Sequence, residues 1–185
     1  KDDMNKLFYK LETVRGKELF LLCLLITFLL RFLSLYADFI QVDEADFAAQ
    51  GALWSEGAVP YVDFVEKKPP LSYAFYALTF KAFGWSMLAI HIVMLFWVIF
   101  TALGVGKIAS ILIYPRAGPI ASILYCLWTV CFPATATLAA NTENMLLLPT
   151  VWGAYLYLQA ISDDDRQKKG CLILAGVLAG LASLF

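Results

Sequence analysis

Apolar residues in this 185-residue chain are gathered into long blocks separated by short polar stretches. A hydrocarbon core of ~30 Å takes roughly 20 helical residues to cross. Spans of about that length are read at 19–36, 85–113, 119–136 and 145–161. A fifth block, Cys171 to Phe185, begins in the same way. At ~1.5 Å per residue it reaches only ~22 Å, so the chain reads as the N-terminal fragment of a longer protein. The pattern predicts an all-α, multi-span membrane protein.

The longest polar interruption, the loop 37–84, has its own pattern. Asp43 precedes an alanine-rich run, Glu44 to Glu56, and Asp43 and Asp46 have capping-box spacing. Gly57 suits the position after that helix, and Pro60 cannot continue it. Phe47 and Trp54, seven residues apart on one face, predict a helix lying on the membrane surface. Tyr61 to Lys68 reads as extended chain, with Pro69 disfavouring the α region at Lys68. Pro70 suits the first position of a second short helix ending at Gly84. Further on, Thr137 to Asn144 is expected to be a short polar turn whose only charge is Glu143.

Charge fixes an expected orientation. If the Pro70 helix does not span, the inner side holds five Lys/Arg before the first span, Lys107 with Arg116, and Arg166, Lys168 and Lys169, against Lys67, Lys68 and Lys81 outside. The positive-inside rule favours this arrangement. Residues 1–18 then form a cytoplasmic segment, 19–185 the first part of a transmembrane domain, and the 37–84 loop lies on the outer face with the Glu143 turn. Hydrophobic residues make up 61% and charged residues 16%, far from the ~25% charge of soluble domains. A net charge of −1 gives no support for a nucleic-acid partner. Cys23, Cys126, Cys131 and Cys171 form no CxxC and read as small core residues.

Candidate chemistry clusters in the outer loop. A carboxylate near the hydrocarbon boundary is partly desolvated and suits a general base. A nearby lysine offers a cation to a phosphate leaving group. Asp43 fits either that base or a helix cap; Glu44 and Asp46 fit either chemistry or first-turn charges favoured by the helix dipole. Lys67 and Lys68 fit phosphate binding or plain headgroup contact. Glu143 is a site carboxylate or an N-terminal helix charge. Arg31, inside the first span, is functional or snorkels to the outer interface. His91, the sole histidine, reads as a core or interhelical hydrogen-bonding residue.

The Asp43-Glu44 pair after the first span, the surface helix ending in G-x-x-P-Y-x-D-F, the E-K-K-P-P-L-x-Y motif from Glu66 to Tyr73, and N-T-E-N at 141–144 resemble the GT-C glycosyltransferases, in particular the protein mannosyltransferase and aminoarabinose transferase group. The resemblance covers roughly Leu19 to Phe185. It implies an integral membrane enzyme of the plasma or inner membrane, N-terminus cytoplasmic. Such an enzyme moves a sugar from a polyprenyl-phosphate carrier to a lipid, glycan or protein on the non-cytoplasmic face. Asp43 would be the base, with Glu44 and Glu143 as further catalytic carboxylates. Lys68 would hold the carrier phosphate, with Lys67, Tyr73 and Arg31 on the substrate side. Some relatives bind a divalent metal through loop carboxylates, and Glu66 is the corresponding candidate. Two departures are visible. Glu66 stands one residue further from the prolines than in the shorter E-K-P-P form, and His91 replaces an arginine often found there.

Two other classes compete. A transporter or lipid flippase would use Arg31 and His91 along a pathway, yet paired broken helices and mid-membrane acidic residues are not evident. A non-catalytic subunit would bind lipid headgroups without turnover.

Overall fold

The computed structural model describes residues 16–64, 68–131, 134–162 and 168–185. Among them the chain is helical throughout, with one isolated bridge between Pro60 and Phe64. Helix α1 (Gly16–Arg31) runs on into a 3-10 turn at Phe32–Tyr36. Leu21, Leu25, Leu29 and Leu33, four residues apart, are each more than half exposed and form one continuous apolar stripe. Such a stripe has no place in water and suits lipid. Three helices, Lys17–Tyr36, Met87–Leu112 and Thr142–Ser162, are long and apolar enough to cross a membrane.

Helix α2 (Val42–Ser55) and helix α3 (Pro70–Phe83) pack on one another in the 37–84 loop. Gly51 makes this possible: a Cβ there would overlap the Cβ of Tyr76 and stand 3.0 Å from the backbone nitrogen of Ala77. Phe47 is therefore turned inward, fully buried against Tyr73 and Tyr76, and Trp54 is partly buried against the same cluster. This corrects the expectation that Phe47 and Trp54 face a membrane surface. Both helices stop where expected, at Gly57 and Gly84, which take φ of 107° and 78°.

Helix α4 (Met87–Leu112) is the central post. Its 26 residues amount to ~39 Å of helix. Ser86 caps it by accepting from the Ala89 N–H. Against α4 pack α1, helix α5 (Ala117–Cys131) and helix α8 (Leu147–Ser162), and helix α9 (Lys168–Ala182) lies on α8. One core joins α2, α3 and the N-terminal half of α4 around Phe47, Tyr76, Ile90 and Met94. A second joins α1, α4 and α5 around Cys23, Leu95, Ile99 and Cys126.

Between α5 and α8 the expected polar turn is largely helical: helix α6 (Ala134–Leu138) and the single turn α7 (Thr142–Met145) flank a bend at 139–141. The stretch after Pro60 is also different from expectation. Val62 and Asp63 N–H both donate to the Val59 carbonyl, so Tyr61–Phe64 is a tight turn and not extended chain.

Candidate functional site

The site is built where the start of α2, the end of the 58–68 segment and the α6–α7 bend meet. Asp43 lies in the first turn of α2, but it does not cap it. The N-cap is Gln41, which makes no side-chain cap bond. The capping-box reading of Asp43 and Asp46 is thus corrected: Asp43 Oδ2 instead accepts from Lys68 Nζ at 3.0 Å. Both side chains remain open to solvent, 43% and 37% exposed. Lys68 Nζ also sits 4.7 Å above the Phe47 ring, a cation–π contact that holds the ammonium on the α2 side.

Lys68 owes its position to the turn before it. Tyr61 takes φ of 65°, a left-handed conformation that costs a residue with a Cβ of order 1–3 kcal/mol. Its hydroxyl donates to the Lys68 carbonyl at 2.7 Å. Asp63 ties the same turn, accepting from the Val59 N–H. Pro69 is the N-cap of α3 and Pro70 its first residue, so Lys68 stands two residues ahead of a rigid helix.

Glu44 is one residue from Asp43 and has the opposite environment. It is fully buried. Its Oε2 accepts from Ile40 N–H at 2.6 Å; its Oε1 accepts from Ala140 N–H at 2.5 Å and faces His91 Nε2 at 3.3 Å. Burial alone would push the carboxyl up, but the His91 bond, the two backbone bonds and the His91 charge together hold it below the usual carboxylate range.

The bend beyond α6 is gripped from several directions. Arg31 is 3% exposed, with Nη2 donating to the Thr137 and Thr129 carbonyls and Nη1 to Leu138. It does not snorkel outward. Asn144 donates to the Ala136, Thr137 and Ala139 carbonyls, and Asn141 caps α7 and donates to Ala136 and to Gln41. The Tyr76 hydroxyl donates to Ala140, and Trp97 Nε1 to Met145. Glu143 is exposed on the α7 turn. Ser72 and Thr142 share a 2.9 Å hydroxyl–hydroxyl bond that links α3 to α7.

Of the residues expected from sequence, Asp43 and Lys68 are in direct contact, Glu44 lies behind them, and Glu143 is on the bend that Glu44 and Asn141 fasten to α2. Tyr73 is fully buried behind Phe47. Arg31 reaches only the far side of the bend. Lys67 and Glu66 lie outside the described residues. Among the described residues no three His, Cys, Asp or Glu side chains gather as a metal site. Tyr61 stood in the G-x-x-P-Y-x-D-F motif and Asn141 and Asn144 in N-T-E-N, but sequence reasoning assigned none of them a role.

From Leu71, three residues past Lys68, an apolar groove of about 750 Å³ runs along α4, α8 and α9, lined by Trp97, Phe100, Trp152 and Leu178 among others. Residues 67–185 match the family described as dolichyl-phosphate-mannose-protein mannosyltransferase. The chain belongs to this family. The matched segment takes in Lys68, Tyr73 and Glu143 and begins after Asp43 and Glu44. Neither a curated protein nor a solved structure matches the chain. As a member, this mannosyltransferase-family protein is a membrane glycosyltransferase of the GT-C type that works from a polyprenyl-phosphate-linked sugar.

Proposed function

We propose that the protein transfers the sugar on the non-cytoplasmic face, with Asp43 as general base and Lys68 as the cation for the carrier phosphate. The observation that carries this reading is the open Asp43–Lys68 pair, a carboxylate and an ammonium 3.0 Å apart, with Lys68 three residues before Leu71 of the apolar groove. An exposed ion pair is worth about 0–1 kcal/mol, so Lys68 can turn from Asp43 to an arriving phosphate at little cost. Asp43 is then released to accept a proton from an acceptor hydroxyl. The hydroxyl oxygen attacks the anomeric carbon, and the bond from that carbon to the phosphate oxygen breaks. Its electron pair leaves with the carrier phosphate against Lys68, with inversion.

The groove beginning at Leu71 would take the isoprenoid chain, so that headgroup and tail are bound side by side and positioning supplies much of the rate. Glu143, exposed on α7, would orient the acceptor. Glu44 has both oxygens occupied and Tyr73 is buried, so we assign both to holding Asp43 and Lys68 in place. Arg31 supports the 137–138 carbonyls. Engagement of both Arg31 and His91 in fixed bonds favours this reading over a transport pathway lined by those two groups.

The test uses the complete protein in lipid vesicles with a labelled polyprenyl-phosphate sugar. Wild type should release or transfer the sugar. Asp43→Asn and Lys68→Ala should each lose turnover while retaining their fold. Unchanged transfer by Asp43→Asn would overturn the base assignment. Movement of lipid or solute with no turnover by wild type would replace the proposal by transport.

A further inference from the structure

His91 is the single histidine of the chain, and the transfer scheme leaves it without a task. It stands in the first two turns of α4, 4% exposed, with Nε2 3.3 Å from Glu44 Oε1. An ionised carboxylate offers only acceptors, so Nε2 carries the hydrogen and donates. The other ring nitrogen, Nδ1, is buried with no partner. Among the described residues the ring's only polar anchor is thus Glu44.

Glu44 in turn joins three pieces of chain. It holds the Ile40 N–H ahead of α2, the Ala140 N–H of the bend, and His91 on the central post. The first turn of α2 has no side-chain cap of its own, so these bonds fasten it together with the Asn141 amide on Gln41. Asp43 is the next residue along that turn. Lys68 is fixed separately, by the Tyr61 hydroxyl on its carbonyl and by the start of α3.

We infer that His91 is a positioning residue for sugar transfer, acting through Glu44 to hold Asp43 against the 139–144 bend. The inference rests on Asp43 being the base. Because Lys68 has its own supports, loss of the His91 bond disturbs the base more than the phosphate cation. The signature is a fall in kcat with little change in KM for the lipid-linked donor.

The experiment compares wild type, His91→Ala, His91→Gln and Asp43→Asn in the complete protein in lipid, with a labelled polyprenyl-phosphate sugar. Backbone hydrogen exchange at Ile40 and Ala140 is followed in parallel. His91→Ala should lower kcat roughly 10- to 100-fold, the weight of one hydrogen bond to a buried charge. Donor KM should stay within about twofold. His91→Gln, which retains an N–H donor, should recover most of kcat. Exchange at Ala140 and Ile40 should quicken in His91→Ala and return toward wild type in His91→Gln. Where His91→Ala loses its fold, His91→Leu fills the site without a donor and serves as the same test. Wild-type kcat in the variants that lack the donor, or equal losses in the Ala and Gln variants, would overturn the inference. Full activity of Asp43→Asn would instead overturn the base assignment, and the exchange data would still decide whether His91 fastens Glu44.

Discussion

Gly51→Ala separates two opposed expectations. Helix propensity alone favours the alanine, by ~1 kcal/mol in a helix interior. The packing of α2 on α3 opposes it. The added Cβ would overlap the Tyr76 Cβ, with the Ala77 nitrogen at 3.0 Å and the Tyr76 carbonyl carbon at 3.2 Å. Two of these are backbone atoms and the third is a Cβ, so no side-chain rotation relieves the clash. Carbon atoms rest at about 3.5–4.0 Å, so the two helices must part by roughly 1 Å. Overpacking of this kind costs ~1–3 kcal/mol, which outweighs the propensity gain. Asp43 lies on one of the parting helices and Lys68 stands two residues before the other, so their 3.0 Å contact opens as well. A misplacement of ~1 Å can cost ~10²-fold in rate. The expected outcome is a lower melting temperature in detergent together with a 10- to 100-fold loss of transfer, roughly as that displacement allows. A variant that melts higher than wild type and transfers normally would refute the packing argument.

Asn144→Ala removes the donor for three carbonyls of the bend and should cost about 2 kcal/mol of stability, read as a lower melting temperature, with Asn144→Asp failing to restore it for want of N–H groups. Lys68→Ala should lower kcat/KM for the donor ~10²-fold, whereas Lys68→Arg should retain a measurable part of it; equal activity of all three would remove Lys68 from the phosphate site. Glu44 has a folded pKa held below its ordinary value of 4.5. Its contribution to stability is therefore present above that value and is lost as pH falls through the folded pKa. Melting temperature should drop on acidification below about pH 4.5, and Glu44→Gln should be less stable at neutral pH and flatten that part of the profile. An unchanged acid limb in Glu44→Gln would show that other carboxyls carry it.

The helices were legible because lipid imposes a simple rule. Backbone groups must be satisfied within a segment, so length and apolarity suffice to find Lys17–Tyr36 and Met87–Leu112. The boundaries of α3 were equally open to reading, since Pro70 and Gly84 mark its ends by their own backbone limits. The turn at Tyr61–Phe64 was not, because a tyrosine with positive φ breaks the local preference that sequence reading relies on. Its stability comes from the Lys68 carbonyl, seven residues away. The inward turn of Phe47 was hidden for a similar reason. Seven-residue spacing gives a face but does not say what covers it, and here the cover is set by the missing side chain of Gly51.

The charges were visible in the sequence, and their partners were not. Asp43 and Lys68 stood out as unlike charges near one boundary, and they do meet. Arg31 and Glu44 looked like isolated charges with separate tasks, yet both hold backbone groups around α6 and the bend after it. Arg31 supplies donors to the carbonyls at 129, 137 and 138, and Glu44 supplies an acceptor to the amide at 140. A chain that bends at the membrane boundary frees backbone donors and acceptors, each of which costs several kcal/mol if left unpaired in apolar surroundings. Neutral side chains such as Asn144 cover part of that need. A cation at the carbonyl side and an anion at the amide side cover the rest, and they are tolerated there because the partially charged backbone groups compensate them. The bend thereby becomes rigid enough to carry Glu143 and to brace the turn that carries Asp43. The price is two buried ionised groups whose value depends wholly on each backbone contact remaining closed.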